Sequence, residues 1–220
     1  MKWTKWMIVG AFALGLAVTP KLTTHAAEVS DLGIVTTTDK SGTATSTAQF
    51  TATAGNLTLD RVPDMNFGET NVEDLVNGTT LNYKDSSVTQ LDNAKDGQLQ
   101  NQMKVTDYRG SNAGWTLSAN AGAFTNDSDS SVMNVTSLSF TADGATIGTS
   151  SDANSALSTN SLSGSDTQVW GATAGNGAGV NTADVKANGA TLVTAANPRA
   201  TAGTYRAPIT WTLSAAPSAN

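Results

Sequence analysis

The 220-residue chain has no cysteine and a single histidine, His25. Disulfide scaffolds, Cys/His zinc sites and thiol nucleophiles are therefore excluded. A histidine general base or a serine triad is excluded from everything after residue 25. Charged residues make up 14%, against about 25% in an ordinary globular chain. Large apolar side chains are sparse as well. Leu, Ile, Val and Phe together number 40 of 220, under the ~20% level at which disorder competes with folding. Ser and Thr fill the gap with 55 residues. Thr is β-branched and suits a pleated, half-wet surface. The composition points to a lean β-protein whose stability a partner can supplement.

Hydrophobic runs long enough to span a membrane are also lacking. The apolar run Trp6–Val18 has 13 residues, short of the ~20 a spanning helix needs. Lys2 and Lys5 precede it, and the small-residue sites Thr24-His25-Ala26 and His25-Ala26-Ala27 follow. This order reads as a secretory signal over residues 1–27, cleaved near Ala26 and Ala27. Cleavage removes Lys2, Lys5 and Lys21, leaving nine basic against 18 acidic side chains, a net charge of −9. Nucleic acids and anionic membranes want a basic footprint and are not expected partners. The segment Ala215–Asn220 carries neither a hydrophobic tail nor a sorting-type motif. The expectation is an exported protein held at the cell surface noncovalently, without membrane insertion after cleavage.

Strand-like alternation recurs over Ala48–Ala52, Asn56–Val62, Thr79–Tyr83, Gln98–Asp107, Gly114–Ala119, Val135–Thr141 and Tyr205–Ser214. Gly55-Asn56, Asn77-Gly78, Asp96-Gly97, Asp143-Gly144, Asn188-Gly189 and Ala202-Gly203 punctuate these runs as turns. Glu69–Val76 has room for one or two helical turns. The expected fold is mostly β: a single sandwich or partly closed barrel-like domain over residues 45–220, with long Ser/Gly/Asn-rich loops at 149–164 and 171–179. Residues 28–44 read as a mobile or weakly paired leader.

Two of the three tryptophans after residue 27 sit in the same tripeptide, Trp115-Thr116-Leu117 and Trp211-Thr212-Leu213. Residues two apart in a strand share a face. Trp115, Leu117 and Ala119 thus form one apolar stripe. Tyr205, Ala207, Ile209, Trp211 and Leu213 form another, with Thr116 and Thr212 on the opposite faces. A tryptophan buries up to about 250 Å², some 6 kcal/mol at ~25 cal/mol per Å² before entropy and strain. A core this poor can hardly leave both exposed, so the favoured expectation is two buried, neighbouring tryptophans packing as one unit. The alternative is a ring face left open for glycan stacking.

The chain resembles the WxL-domain surface proteins of Gram-positive bacteria. Val105-Thr106-Asp107-Tyr108-Arg109 leading to Gly114-Trp115-Thr116-Leu117 matches the family's first motif. Gly203-Thr204-Tyr205-Arg206 leading to Ile209-Thr210-Trp211-Thr212-Leu213 resembles its terminal motif, and Asn66-Phe67-Gly68 its Asn-Phe-Gly strand. Tyr108, an aromatic within the Asp-x-Arg step, is a modest departure. The resemblance covers residue 55 to the end. It implies noncovalent attachment to peptidoglycan at the cell surface. It also implies partners, including a membrane-anchored WxL-interacting protein and other surface proteins.

The remaining candidates weigh toward structure. Asp107 and Arg109 read as a partly buried pair fixing the loop to Gly114, with a contact to a wall ligand as the alternative. Asp127-Ser128-Asp129-Ser130 resembles a calcium loop but lacks the following Gly and the terminal Glu, so a solvated turn is expected. Gly175-Asn176-Gly177-Ala178-Gly179 lacks the Lys-Ser/Thr of a phosphate loop. Trp170 suits a core position and an exposed anchor equally. No motif indicates catalysis or a cofactor. The expected function is noncovalent wall binding. The rival readings are a protein-interaction subunit held at the wall through a membrane-anchored partner, and an adhesin.

Overall fold

The structure, a computed structural model, describes residues 29–30, 33–34, 45–97, 101–147 and 161–217. The signal, its cleavage site at Ala26 and Ala27, and most of the 149–164 loop lie outside them. The chain divides into two compact units, 1–53 and 54–220. In the first, β1 (Val29–Ser30) and β2 (Gly33–Ile34) pair antiparallel. Residues 45–53 are exposed and form no strand, so the strand expected at Ala48–Ala52 is corrected. Alternation alone does not make a strand where no neighbouring ladder takes up the backbone groups.

The second unit is a β-sandwich-like fold of antiparallel sheets, with no closed barrel among the described residues. Its strands are β3 (Leu57–Arg61), β4 (Thr80–Asn82), β5 (Gln102–Asp107), β6 (Trp115–Ala121), β7 (Phe124–Asn126), β8 (Val132–Met133), β9 (Val135–Ile147), β10 (Thr167–Ala172), β11 (Gly179–Thr194), β12 (Tyr205–Arg206) and β13 (Ile209–Ser214). One helix, α1 (Val72–Asn77), falls where the sequence left room for it. The Asn71 side chain caps it by accepting from the Asp74 N–H at 2.8 Å. Leu75 is its buried residue.

The 16-residue β11 organises the larger sheet. Its first half pairs with β5 and its second half with β4, while β9 runs along its other side and β3 extends the sheet beyond β5. The sequence reading missed β11 because Asn188-Gly189 looked like the end of a run. The register instead jumps between Val185 and Ala190. Residues 186–189 loop out as a wide bulge, with Asn188 at φ 60°, and the strand resumes beyond it.

The smaller sheet has the order β10-β6-β13. Its inner face presents Trp115, Leu117 and Ala119 to Met103, Val105, Leu138, Phe140 and Val185 of the larger sheet, and these form one core. The expected strand Tyr205–Ser214 is in fact two. β12 pairs with β7, whereas β13 pairs with β6. Pro208 sits at the break, has no N–H for a ladder, and its carbonyl accepts from Gly122 N–H at 2.8 Å.

A groove beside the second tryptophan

The two Trp-Thr-Leu motifs are neighbouring antiparallel strands. Leu117 lies opposite Leu213, Ser118 opposite Thr212, and Ala119 opposite Trp211. The period of two sends all four Trp and Leu side chains inward and Thr116 and Thr212 outward. The tryptophans are therefore on one face but not in contact. Trp211 stands opposite a residue four positions from Trp115, about 14 Å along the strand at ~3.4 Å per residue.

Their surroundings differ. Trp115 is fully buried. Its ring meets Trp170 edge-on at 4.9 Å between centroids and 88° between planes, a favoured aromatic geometry. Its Nε1 donates to the Gly177 carbonyl at 3.2 Å. The glycine-rich segment thus folds onto the first motif. A Cβ on Gly177 would come within 2.5 Å of the Trp115 Nε1, and one on Gly114 within 2.3 Å of the Ala172 carbonyl oxygen. Both glycines also hold positive φ, 77° and 74°. Trp170 is buried, which settles its role as core rather than anchor.

Asn181, fully buried, completes this corner and was invisible to periodicity. Its Nδ2 donates to the carbonyls of Val105, Gly177 and Gly179 at 3.1, 2.9 and 3.1 Å. Only the packed loop explains a polar residue in the middle of an apolar face.

Asp107 and Arg109 form a closed fork. Arg109 Nε and Nη2 donate to the two Asp107 carboxylate oxygens at 2.9 and 2.7 Å. Nη2 also reaches the Gly114 carbonyl at 2.6 Å, and Nη1 the Ala215 carbonyl at 3.3 Å. Thr116 Oγ1 donates to Ala216 O at 3.1 Å. The pair ties the loop before β6 to the chain beyond β13, and Arg109 holds the Asp107 carboxyl below its usual range. Tyr205 is likewise structural: its hydroxyl donates to Thr201 O at 2.9 Å and accepts from Thr201 N–H at 3.1 Å. Asp127 is committed to Arg206, whose Nε and Nη2 both lie 2.9 Å from its Oδ1. Among the described residues no group of His, Cys, Asp and Glu is placed to hold a metal ion.

Trp211 is only half-buried. Its ring tilts 56° against Phe140 at 6.0 Å, and it opens into a groove of about 700 Å³. Phe67, Leu91, Phe124, Tyr205 and Ile209 share that groove with it, among Asn, Gln, Ser and Thr side chains. The Asn66-Phe67-Gly68 segment forms part of the lining. It is not a strand; Asn66 makes a single bridge to Asp85. Asn66 Nδ2 donates to Asp85 Oδ1, and Asn66 Oδ1 accepts from the Gly68 N–H, both at 2.8 Å. Residues 87–96 supply the facing wall. There Gln90 Nε2 donates to Asp64 Oδ2 at 3.3 Å and also to the Asp96 carboxyl. Burial and the neighbouring Asp96 carboxyl push the Asp64 carboxyl up to about 6. The sequence reading missed this trio, because its members are 26 and six residues apart in the chain.

A sequence model of the WxL domain, described as surface cell wall-binding, matches residues 34–217. No curated protein and no solved structure matches the chain. No helix among the described residues is long and apolar enough to cross a membrane.

Proposed function

The chain belongs to the WxL family of surface cell-wall-binding domains, and from that premise we propose that it is a secreted Gram-positive surface protein that grips peptidoglycan directly through the groove at Trp211. The half-open indole is the observation that carries this reading. Of the two motif tryptophans, Trp115 is sealed in the core and Trp211 alone keeps a surface toward a cavity. An indole face takes the apolar face of a sugar ring, and the surrounding amides and hydroxyls take its hydroxyl and acetamido groups. The role is binding, not catalysis. The ~700 Å³ volume suits a short run of sugar units or a stem peptide. Coulomb attraction is not the driver, since a chain of net charge −9 after signal cleavage approaches an anionic wall.

The rival reading is attachment through a membrane-anchored WxL-interacting protein. Co-sedimentation with protein-stripped sacculi separates the two. Direct binding predicts that the purified protein pellets with bare sacculi and is released by chaotrope. Pelleting only when surface proteins are left on the sacculi would overturn it.

A further inference from the structure

The groove has fixed sides and one loosely held side. β12, β13 and the Asn66–Gly68 segment are tied into ladders or side-chain bridges. The facing wall, residues 86–97, has no strand or helix. We propose that residues 86–97 are a strap across the groove, and that a proton shared by the Asp64 and Asp96 carboxyls latches it shut, so the groove opens as that proton leaves. This rests on the groove being the wall-binding site.

The strap is held at its start, in its middle and at its far end. Near its start, Ser87 N–H donates to Asp85 Oδ1 at 2.8 Å. In its middle, Arg206 Nη1 donates to the carbonyls of Thr89 and Gln90 at 3.2 and 3.0 Å. At its far end, Val62 N–H donates to Asp96 O at 3.2 Å, beside the Asp64–Gln90–Asp96 trio. Neither of the first two engages the carboxyls of the trio. The trio sets two carboxyls around one amide. With one proton, the two carboxyls bond to each other and Gln90 bridges them. Without it, two carboxylates face each other across one amide, and like charges in a partly buried site repel. Asp64 titrates near 6, so the change falls between mildly acidic and neutral conditions.

Of the other groups near the trio, Tyr83, Asp85 and Asp60 are shifted away from that window. Tyr83, below the groove, is pushed above its ordinary value by burial. Asp85 is held below its usual range by its hydrogen bonds to Ser87 and Asn66. On β3, Asp60 is lowered by its Thr106 and Thr58 bonds and by Lys104 against its burial, and Arg61 bonds Gln102 at 2.9 Å. On β12, Arg206 is paired with Asp127. Glu69 and Lys95 complete the charged lining. No histidine follows residue 25.

The absence of cysteine makes a direct test simple. Spin labels on an Asn93→Cys/Thr204→Cys double variant, one on the strap and one across the groove at exposed positions, report the span without any ligand. The interlabel distance should lengthen between pH 5 and pH 7, and Asp64→Asn, which keeps a hydrogen bond but cannot ionise, should hold it short at both. Sacculus binding by the unlabelled protein should be about tenfold weaker at pH 5 than at pH 7, as expected for a competent state gated by one proton near pH 6. Asp64→Asn should bind weakly at both. A distance that ignores pH, or that moves equally in Asp64→Asn, overturns the latch. A distance that responds while binding does not would leave the latch standing and remove the groove as the wall site.

Discussion

The pairing of the two motifs makes a sharp prediction about where they are coupled. Leu117 and Leu213 sit directly opposite each other on the inner face of β6 and β13, where cross-strand Cβ atoms approach to ~5 Å. Trp115 and Trp211 are on the same face but ~14 Å apart along the strand, and each has its own aromatic partner, Trp170 and Phe140. Truncating a buried Leu to Ala costs about 2–5 kcal/mol. Leu117, fully buried, belongs at the upper end and half-buried Leu213 at the lower. The second truncation enlarges a cavity that the first has already opened. The pair should therefore deviate from additivity by about 0.5–3 kcal/mol, whereas the Trp115→Ala/Trp211→Ala pair should add to within ~0.5 kcal/mol. Urea unfolding of both cycles, run in sucrose to keep the double variants folded, gives the two coupling terms. Stronger coupling between the tryptophans than between the leucines would refute this account of the core.

Further outcomes follow from the same geometry. Gly177→Ala drives a methyl group into Trp115 and Ala172 at positive φ. It should cost about 2–4 kcal/mol by denaturant unfolding, from overpacking and backbone strain together. Arg109→Ala opens the fork to Asp107, Gly114 and Ala215, at a cost of about 3 kcal/mol. Because Arg109 lowers the Asp107 carboxyl, the fork's contribution is complete above the ordinary carboxylate value of about 4. It is lost as pH falls through the lowered native value, so the variant should show a shallower loss of stability in acid. Raising salt should leave sacculus binding unchanged or stronger, since it screens repulsion rather than attraction. Weakening of binding with salt would show that an ion pair drives it.

Much of the scaffold can be read from the sequence wherever periodicity acts alone. The stripes through Trp115–Ala119 and Ile209–Leu213 appear as alternation in the chain and as alternating burial in the fold. The Asp107–Arg109 link to Gly114 follows from two charges beside an apolar face. What escapes is long-range. β11 is missed because its bulge at 186–189 carries turn residues, although β9 spans the interruption. Tyr205–Ser214 reads as one strand because alternation continues through Pro208, yet the chain changes sheets there. The expected adjacency of the tryptophans fails on register alone: pairing Leu with Leu in antiparallel strands necessarily sends the two Trp residues to opposite ends. Asn181, Asp64 and Asp96 gain their roles only from segments distant in the chain.

Blocking the groove in a folded protein tests the central claim most directly. Thr204 is exposed and lines the groove opposite the strap, so Thr204→Trp fills the space beside Trp211 without entering the core. Co-sedimentation with protein-stripped sacculi at neutral pH should recover the unaltered protein in the pellet and leave Thr204→Trp in the supernatant, with the same melting temperature for both. A folded Thr204→Trp protein that pellets as well as the unaltered one would contradict binding through this groove.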